Sequence, residues 1–225
     1  MDKRSEKTKL LVILGCCCIL AAAALYGYNI WVSARAARQS DELLSLMKNS
    51  ASAAAGETER RDPALDASGA SSGEGNADAL GVGGYDVIGT LEADAIRIKL
   101  PVISEWSYKN LRAAPCRYTG TPDTQMVLLA HNYEGHFGRL KELKKGDTVT
   151  FTDVKRRLFR YRVIRTETID GNNMNGILSG KDWNLTLFTC TYSGAKRVVV
   201  RCCRFWPRSG FAGPASPLCT SEFSF

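Results

Sequence analysis

A cysteine, a histidine and an arginine occupy positions in this chain where each can do chemistry. Ala130-His131-Asn132 closes the apolar run that begins at Met126. Thr186-Leu187-Phe188-Thr189-Cys190 closes a second run, and Arg197 follows shortly after. These three residue types together perform acyl transfer through a thioester. The thiol attacks, the imidazole moves a proton, and the guanidinium holds a developing oxyanion. Singly, each signal is weak. A strand cysteine is usually inert packing, a lone histidine is more often structural, and an arginine leading a strand is usually only solvated. Spacing supplies one constraint: a short loop between adjacent antiparallel strands returns Arg197 beside Cys190. Spacing does not fix where His131 lies relative to Cys190.

Elements that end at such residues must be strands. Leu185, Leu187 and Thr189 alternate with Thr186, Phe188 and Cys190, as on a two-faced strand. Further β-branched and aromatic runs lie at 86–91, 96–103, 126–131, 148–153, 158–167 and 197–204. Gly120-Thr121-Pro122-Asp123, Lys145-Gly146-Asp147 and Asp170-Gly171-Asn172-Asn173 punctuate them as turns. Short helical turns are expected at 110–114 and 136–143. This spacing predicts an all-β barrel or sandwich of about 120 residues with few helices.

The rest of the chain has a different composition. Residues 1–9 carry Lys3, Arg4, Lys7 and Lys9 against Asp2 and Glu6, and 10–34 holds no charge. About 20 apolar residues cross a bilayer as a helix. The basic flank places the N-terminus in the cytoplasm, although Arg35 and Arg38 on the far side weaken that asymmetry. We read 10–34 as an uncleaved transmembrane signal anchor. A cleavable signal peptide and a lipoprotein signal at Cys16 are the alternatives; the apolar run is long for the first and continues well past Cys16 for the second. All three put the remainder outside the cytoplasm. Helix can continue over 33–47, whereas 50–84 is rich in Ala, Gly, Ser, Asp and Glu and reads as a flexible stalk. The expected domains are therefore 1–9 cytoplasmic, 10–34 anchor, 35–84 linker, 85–205 catalytic domain and 206–225 an irregular tail with Pro207, Pro214 and Pro217.

Charge and cysteine content narrow the function classes. The net charge is +7, densest from Lys141 to Arg162. That region reads as a solvated face, or as one turned to an anionic wall or headgroups. No nucleic-acid motif is present. Of eight cysteines, Cys16, Cys17 and Cys18 lie in the anchor, and Cys116, Cys190, Cys202, Cys203 and Cys219 lie beyond it. Five is odd, so an unpaired thiol is expected. Cys202-Cys203 reads as strand packing. There is no Cys-x-x-Cys, and the only histidines, His131 and His136, lack ligand spacing, so no metal or cofactor is expected.

Thr186-Leu187-Phe188-Thr189-Cys190 resembles the TLxTC motif of the sortases, the cysteine transpeptidases of the Gram-positive surface. Leu129-Ala130-His131-Asn132 is similar to their histidine motif, and Arg197-Val198-Val199-Val200-Arg201 to the strand bearing their arginine. The resemblance spans roughly 96–204. It implies a closed eight-stranded β-barrel with the site at one end. It also implies Cys190 as nucleophile, His131 as the acid that protonates the leaving amine, and Arg197 as oxyanion stabiliser, with Arg201 the fallback. Thr189 is implied as a substrate contact, and His136 is read as structural. The implied substrates are surface or pilin proteins bearing a C-terminal LPxTG-like sorting signal. The implied acceptor is an amine of a peptidoglycan precursor or a pilin lysine. The short 168–184 connection argues against a large helical insertion, and the lack of clustered carboxylates against a calcium site. Two other readings fit less well: a cell-wall cysteine peptidase or amidase, and a non-catalytic β-barrel binding module on a stalk.

Overall fold

The computed structural model describes residues 3–57, 78–180 and 182–205. The expected irregular tail at 206–225, most of the expected stalk and Cys219 lie outside the described residues. The chain divides into two units, 1–35 and 36–225. Helix α1 runs over Lys3–Glu57. It is long and apolar enough to cross a membrane.

Among its described residues, the second unit has nine strands: β1 (Leu80–Val82), β2 (Tyr85–Ala93), β3 (Ile98–Ile103), β4 (Cys116–Thr119), β5 (Met126–Leu129), β6 (Thr148–Asp153), β7 (Leu158–Asp170), β8 (Leu185–Cys190) and β9 (Lys196–Arg204). Two short helices, α2 (Tyr108–Ala113) and α3 (Met174–Leu178), interrupt them. The strand order is β1-β2-β3-β4-β5-β8-β9-β7-β6, and β6 pairs back onto β2. Eight strands thus close into the barrel that the resemblance implies, with β1 added outside the ring.

Alternation explains the closure. Along β7, Phe159, Tyr161 and Val163 point inward, and Val149 and Phe151 do so on β6. With Leu91, Leu100, Met126, Leu128, Leu185, Leu187, Val200 and Cys202 they form the interior core. Strand β2 pairs with β1, β3 and β6, and it bends at a bulge between Val87 and Gly89. A Cβ on Gly89 would lie 2.3 Å from the Thr152 carbonyl oxygen, so only glycine lets β6 approach.

Several elements differ from the sequence reading. Strands β1 and β4 were not expected; each is too short to show alternation. The linker expected at 35–84 is helical through Glu57, and its last residues join the sheet as β1. Ala36, Ser40 and Leu43 recur at helical spacing and are buried. Leu43 packs with Val82, Val87, Ile103, Leu111, Ala113, Ala114 and Cys116, and Met47 lies against them. Composition hid this face because only two large apolar side chains, Leu43 and Met47, build it. The 171–184 connection carries one five-residue helix, α3, capped where Asn173 Oδ1 accepts from Gly176 N at 2.8 Å.

Candidate active site

Two ladders converge at one end of β8. The parallel β5–β8 ladder pairs Met126 with Leu185 and Leu129 with Phe188. Ala130 N donates to Phe188 O at 3.3 Å, and Asn132 Nδ2 donates to Thr191 O at 3.3 Å. The same register therefore continues past the last paired residues and carries His131 level with Cys190. On the other edge, the antiparallel β8–β9 ladder pairs Cys190 directly with Arg197. Directly opposed Cβ atoms in such a ladder are about 5 Å apart. The three sequence-predicted residues thus come together at one barrel end, and each is half-buried.

The β8–β9 turn is tied by its own backbone. Thr191 N donates to Lys196 O at 2.9 Å, and Gly194 N to Thr191 O at 2.9 Å. Gly194 takes the left-handed conformation that this turn needs, at φ 74°. Arg197 Nη1 donates to Gly194 O at 2.8 Å and to Lys196 O at 3.2 Å. Its Nε and Nη2 make no hydrogen bond among the described residues, so they are free to donate to an oxygen near Cys190.

The two remaining arginine and threonine expectations separate cleanly. Arg201 shares the outer face with Arg197 but is only 1% exposed. Its Nε meets Glu167 Oε1 at 3.0 Å, and its Nη1 donates to Ile177 O at 2.6 Å and Thr186 Oγ1 at 3.0 Å. A further donation goes to Gly176 O, and the guanidinium lies 4.1 Å from the Trp183 ring centroid. Every face of Arg201 is engaged beneath α3, which excludes the fallback role. Thr189 faces inward with Leu187, and its hydroxyl donates to Ala130 O at 2.8 Å while only 4% exposed. It locks the end of β8 to the residue preceding His131; the structure does not place it on the outer face with Cys190.

His131 is held below its ordinary pKa, first by burial and then by the Arg112 charge at the end of α2. The free imidazole is consequently neutral at neutral pH. Its ring stacks on Tyr133, centroids 4.8 Å apart at 29°. His136 is fully buried, as its structural reading expected, and burial pushes it down to about 4.

The outer face leading to Cys190 is apolar. Val127, Phe188 and Val199 cluster with Ile177 of α3, flanked by Tyr118, Leu129, Ile169 and Met174. Tyr118 meets Phe188 edge-on at 6.0 Å and stacks on Trp106 at 6.0 Å. Beyond them a recess of about 400 Å³ is lined by Ser104, Glu105, Trp106, Arg117 and Tyr118. Sequence reasoning missed this strip. Its only sequence signal is that Phe188 and Val199 lie on the strand face shared with Cys190 and Arg197; Tyr118 and Ile177 sit in elements too short to read.

The Sortase domain family matches residues 91–204, half of the chain. The chain belongs to the sortase family. Sortase A of Listeria monocytogenes serovar 1/2a is 31% identical over 123 residues, covering 49% of this chain and 53% of that protein. The chain thus spans about half the length of the curated relative it matches. Among solved structures, sortase A of Listeria monocytogenes aligns at 26% identity, over 53% of this chain and 88% of that one, with a TM-score of 0.49. Sortase C from Clostridium perfringens SM101 aligns at 27% identity, over 54% of this chain and 71% of that one, with a TM-score of 0.48. The matched sortase region holds His131, Cys190 and Arg197, and it leaves out β1 and the helical face of Ala36, Ser40 and Leu43.

Proposed function

We propose that this sortase is a membrane-anchored cysteine transpeptidase that cleaves an LPxTG-like sorting signal and transfers the acyl group to an amine. The observation that carries the reading is the shared register that sets His131 and Arg197 on the two sides of Cys190. Cys190 Sγ attacks the carbonyl carbon between Thr and Gly of the signal. The oxygen becomes an oxyanion and accepts hydrogen bonds from Arg197. Collapse breaks the C–N bond, the leaving amine takes a proton from His131, and the acyl group remains as a thioester on Cys190. An incoming amine then attacks the thioester carbon and loses a proton to His131, and the thiolate departs.

Burial and the Arg112 charge disfavour a resting imidazolium at His131, and on this reading the proton it donates is the one Cys190 gives up. The competent form on this reading is a thiolate–imidazolium pair held in the right orientation. Trp106 and the half-buried Tyr118, backed by the buried Phe188, Val199 and Ile177, supply an accessible apolar surface for the apolar residues of the signal. Residues 10–34 serve as the anchor, with the N-terminus cytoplasmic and the barrel extracytoplasmic. The substrates on this reading are surface or pilin proteins with a C-terminal sorting signal. The acceptor is an amine of a peptidoglycan precursor or a pilin lysine.

The test is incubation of the full chain in detergent with quenched LPxTG-type peptides, with and without an added amine, followed by mass spectrometry. We expect a thioester on Cys190 that the amine resolves into a new amide. Cys190→Ala abolishes it, and His131→Ala lowers turnover by roughly 10²–10⁴. Hydrolysis indifferent to the amine makes the protein a peptidase, and an unmodified Cys190 in the folded protein overturns the enzyme reading.

A further inference from the structure

We infer that residues 36–47 of α1 brace the loop that carries His131, with Ser40, His136 and Tyr133 acting as positioning residues. The inference rests on the reading of His131 as the proton donor.

The loop after β5 has no ladder of its own beyond Ala130. Within it, His136 N and Gly138 N both donate to Tyr133 O at 2.9 Å, and Phe137 N donates to His131 O at 3.1 Å. These bonds set the loop's shape and leave its attachment to the neighbouring elements open. Phe137 plugs the barrel interior on one side. On the other side the support comes from α1.

Ser40 is 1% exposed, a polar residue on the apolar face of a helix. Its hydroxyl donates to Ala113 O at 2.8 Å and lies 3.1 Å from His136 Nε2. The single hydroxyl proton is spent on the carbonyl, so Ser40 accepts from His136, which must carry its proton on Nε2. The Tyr133 ring spans the remaining gap, 5.7 Å from the His136 ring and 4.8 Å from the His131 ring. A row of Ser40, His136, Tyr133 and His131 therefore links the helix to the imidazole beside Cys190. Ser40 also holds the C-terminal end of α2, the helix whose Arg112 acts on His131.

Contact at Gly135 is equally close. A Cβ there would lie 2.6 Å from Ala37 Cβ and 3.2 Å from Ala37 Cα. The loop backbone at Gly135 rests directly on the Ala37 methyl group, with only that one carbon between it and the helix backbone. A helix that only covered an apolar patch would need neither a buried hydroxyl nor this approach; His136 Nδ1 has no partner among the described residues, so the Ser40 bond to Nε2 is what fixes the ring to the helix.

The experiment uses the full chain in detergent micelles with Ser40→Ala and Gly135→Ala. Ser40→Ala deletes the polar link, and Gly135→Ala wedges the loop off the helix. Ser45→Ala is the control, an exposed serine on the same helix. Turnover of a sorting-signal peptide with an amine acceptor gives kcat and KM. NMR of histidine-labelled protein gives the His131 titration midpoint, with only one other histidine in the chain. Circular dichroism reports the folded fraction. We expect both variants to lower kcat by ~10-fold, the scale of a misplaced reacting group, with KM unchanged. The His131 midpoint rises toward its ordinary value as the ring loses cover, and Ser45→Ala matches the unsubstituted chain. An unchanged midpoint, with kcat unchanged or falling only with the folded fraction, overturns the brace. If the unsubstituted chain forms no thioester on Cys190, the transpeptidase reading fails, and the substrate-free His131 midpoint alone decides the brace.

Discussion

Cys190 and His131 are neighbours held by different means. Cys190 ends a strand paired on both edges, and its turn is closed by backbone bonds within a few residues. His131 begins a loop, and its surroundings come from side chains of β5's continuation, α2 and α1. Backbone ladders tolerate side-chain replacement, whereas a loop fixed by packing feels each contact. The nucleophile is thus rigid by construction, and the proton donor is the adjustable partner. Substitutions at the rim of the hairpin should change chemistry without changing stability. Those around the loop should change both.

The sharpest form of that contrast is between two arginines on one face of β9. Arg197 has free donors at the rim, whereas Arg201 is enclosed by Glu167, Thr186 and the carbonyls of α3. Arg197→Ala is expected to lower kcat by roughly 10²–10³, the usual effect of losing an oxyanion donor, with an unchanged melting temperature. Arg201→Ala should do the reverse. It removes one partner of a buried ion pair and unsatisfies the Thr186 hydroxyl, costing about 3 kcal/mol in denaturant unfolding while the folded fraction turns over normally. Equal loss of kcat in both variants would break the distinction between rim and mid-strand.

The loop side carries a pH signature that the hairpin lacks. Burial holds His136 at about 4, below the ordinary value near 6.5. The unfolded chain binds this proton more readily than the folded one, so stability is complete above about pH 6.5 and declines as pH falls through the folded value. The full decline is about 3 kcal/mol. Urea unfolding from pH 7 to pH 4 should show this slope, and His136→Gln should flatten it, whatever its effect at pH 7. A slope that persists in His136→Gln would assign it to another group.

Legibility from sequence followed the same division. Strands β6 and β8 have the boundaries that alternation predicts, and Cys190 facing Arg197 followed from loop length alone. Closure of the ring depended on β4, four residues long, and on the Gly89 bend, and neither leaves a periodic trace. The His131–Cys190 adjacency runs through a parallel pairing between strands far apart in the chain, which no local pattern encodes. Thr189 was placed on substrate because motif membership carries no orientation; strand parity with Leu187 already turned it inward. The face of Ala36, Ser40 and Leu43 was absorbed into a linker because alanine and serine are as common in stalks as on tightly packed helices.

The smallest expected effect tests which ionic form does the work. Arg112 lies on the exposed side of α2 and contributes to the low His131 value. Arg112→Gln removes that charge and raises the His131 midpoint, only slightly because solvent screens an exposed charge. The acid limb of the kcat/KM profile then moves to higher pH in any mechanism that uses His131. The plateau between the limbs discriminates. If the thiolate–imidazolium pair is the reactive form, its population grows as His131 holds its proton more readily, and the plateau rises. If neutral imidazole acts on the thiol as a base, the plateau stays level while the limb shifts. A raised plateau would therefore show that the site is held below its maximal rate by Arg112, and that the adjustable side of the pair sets the speed.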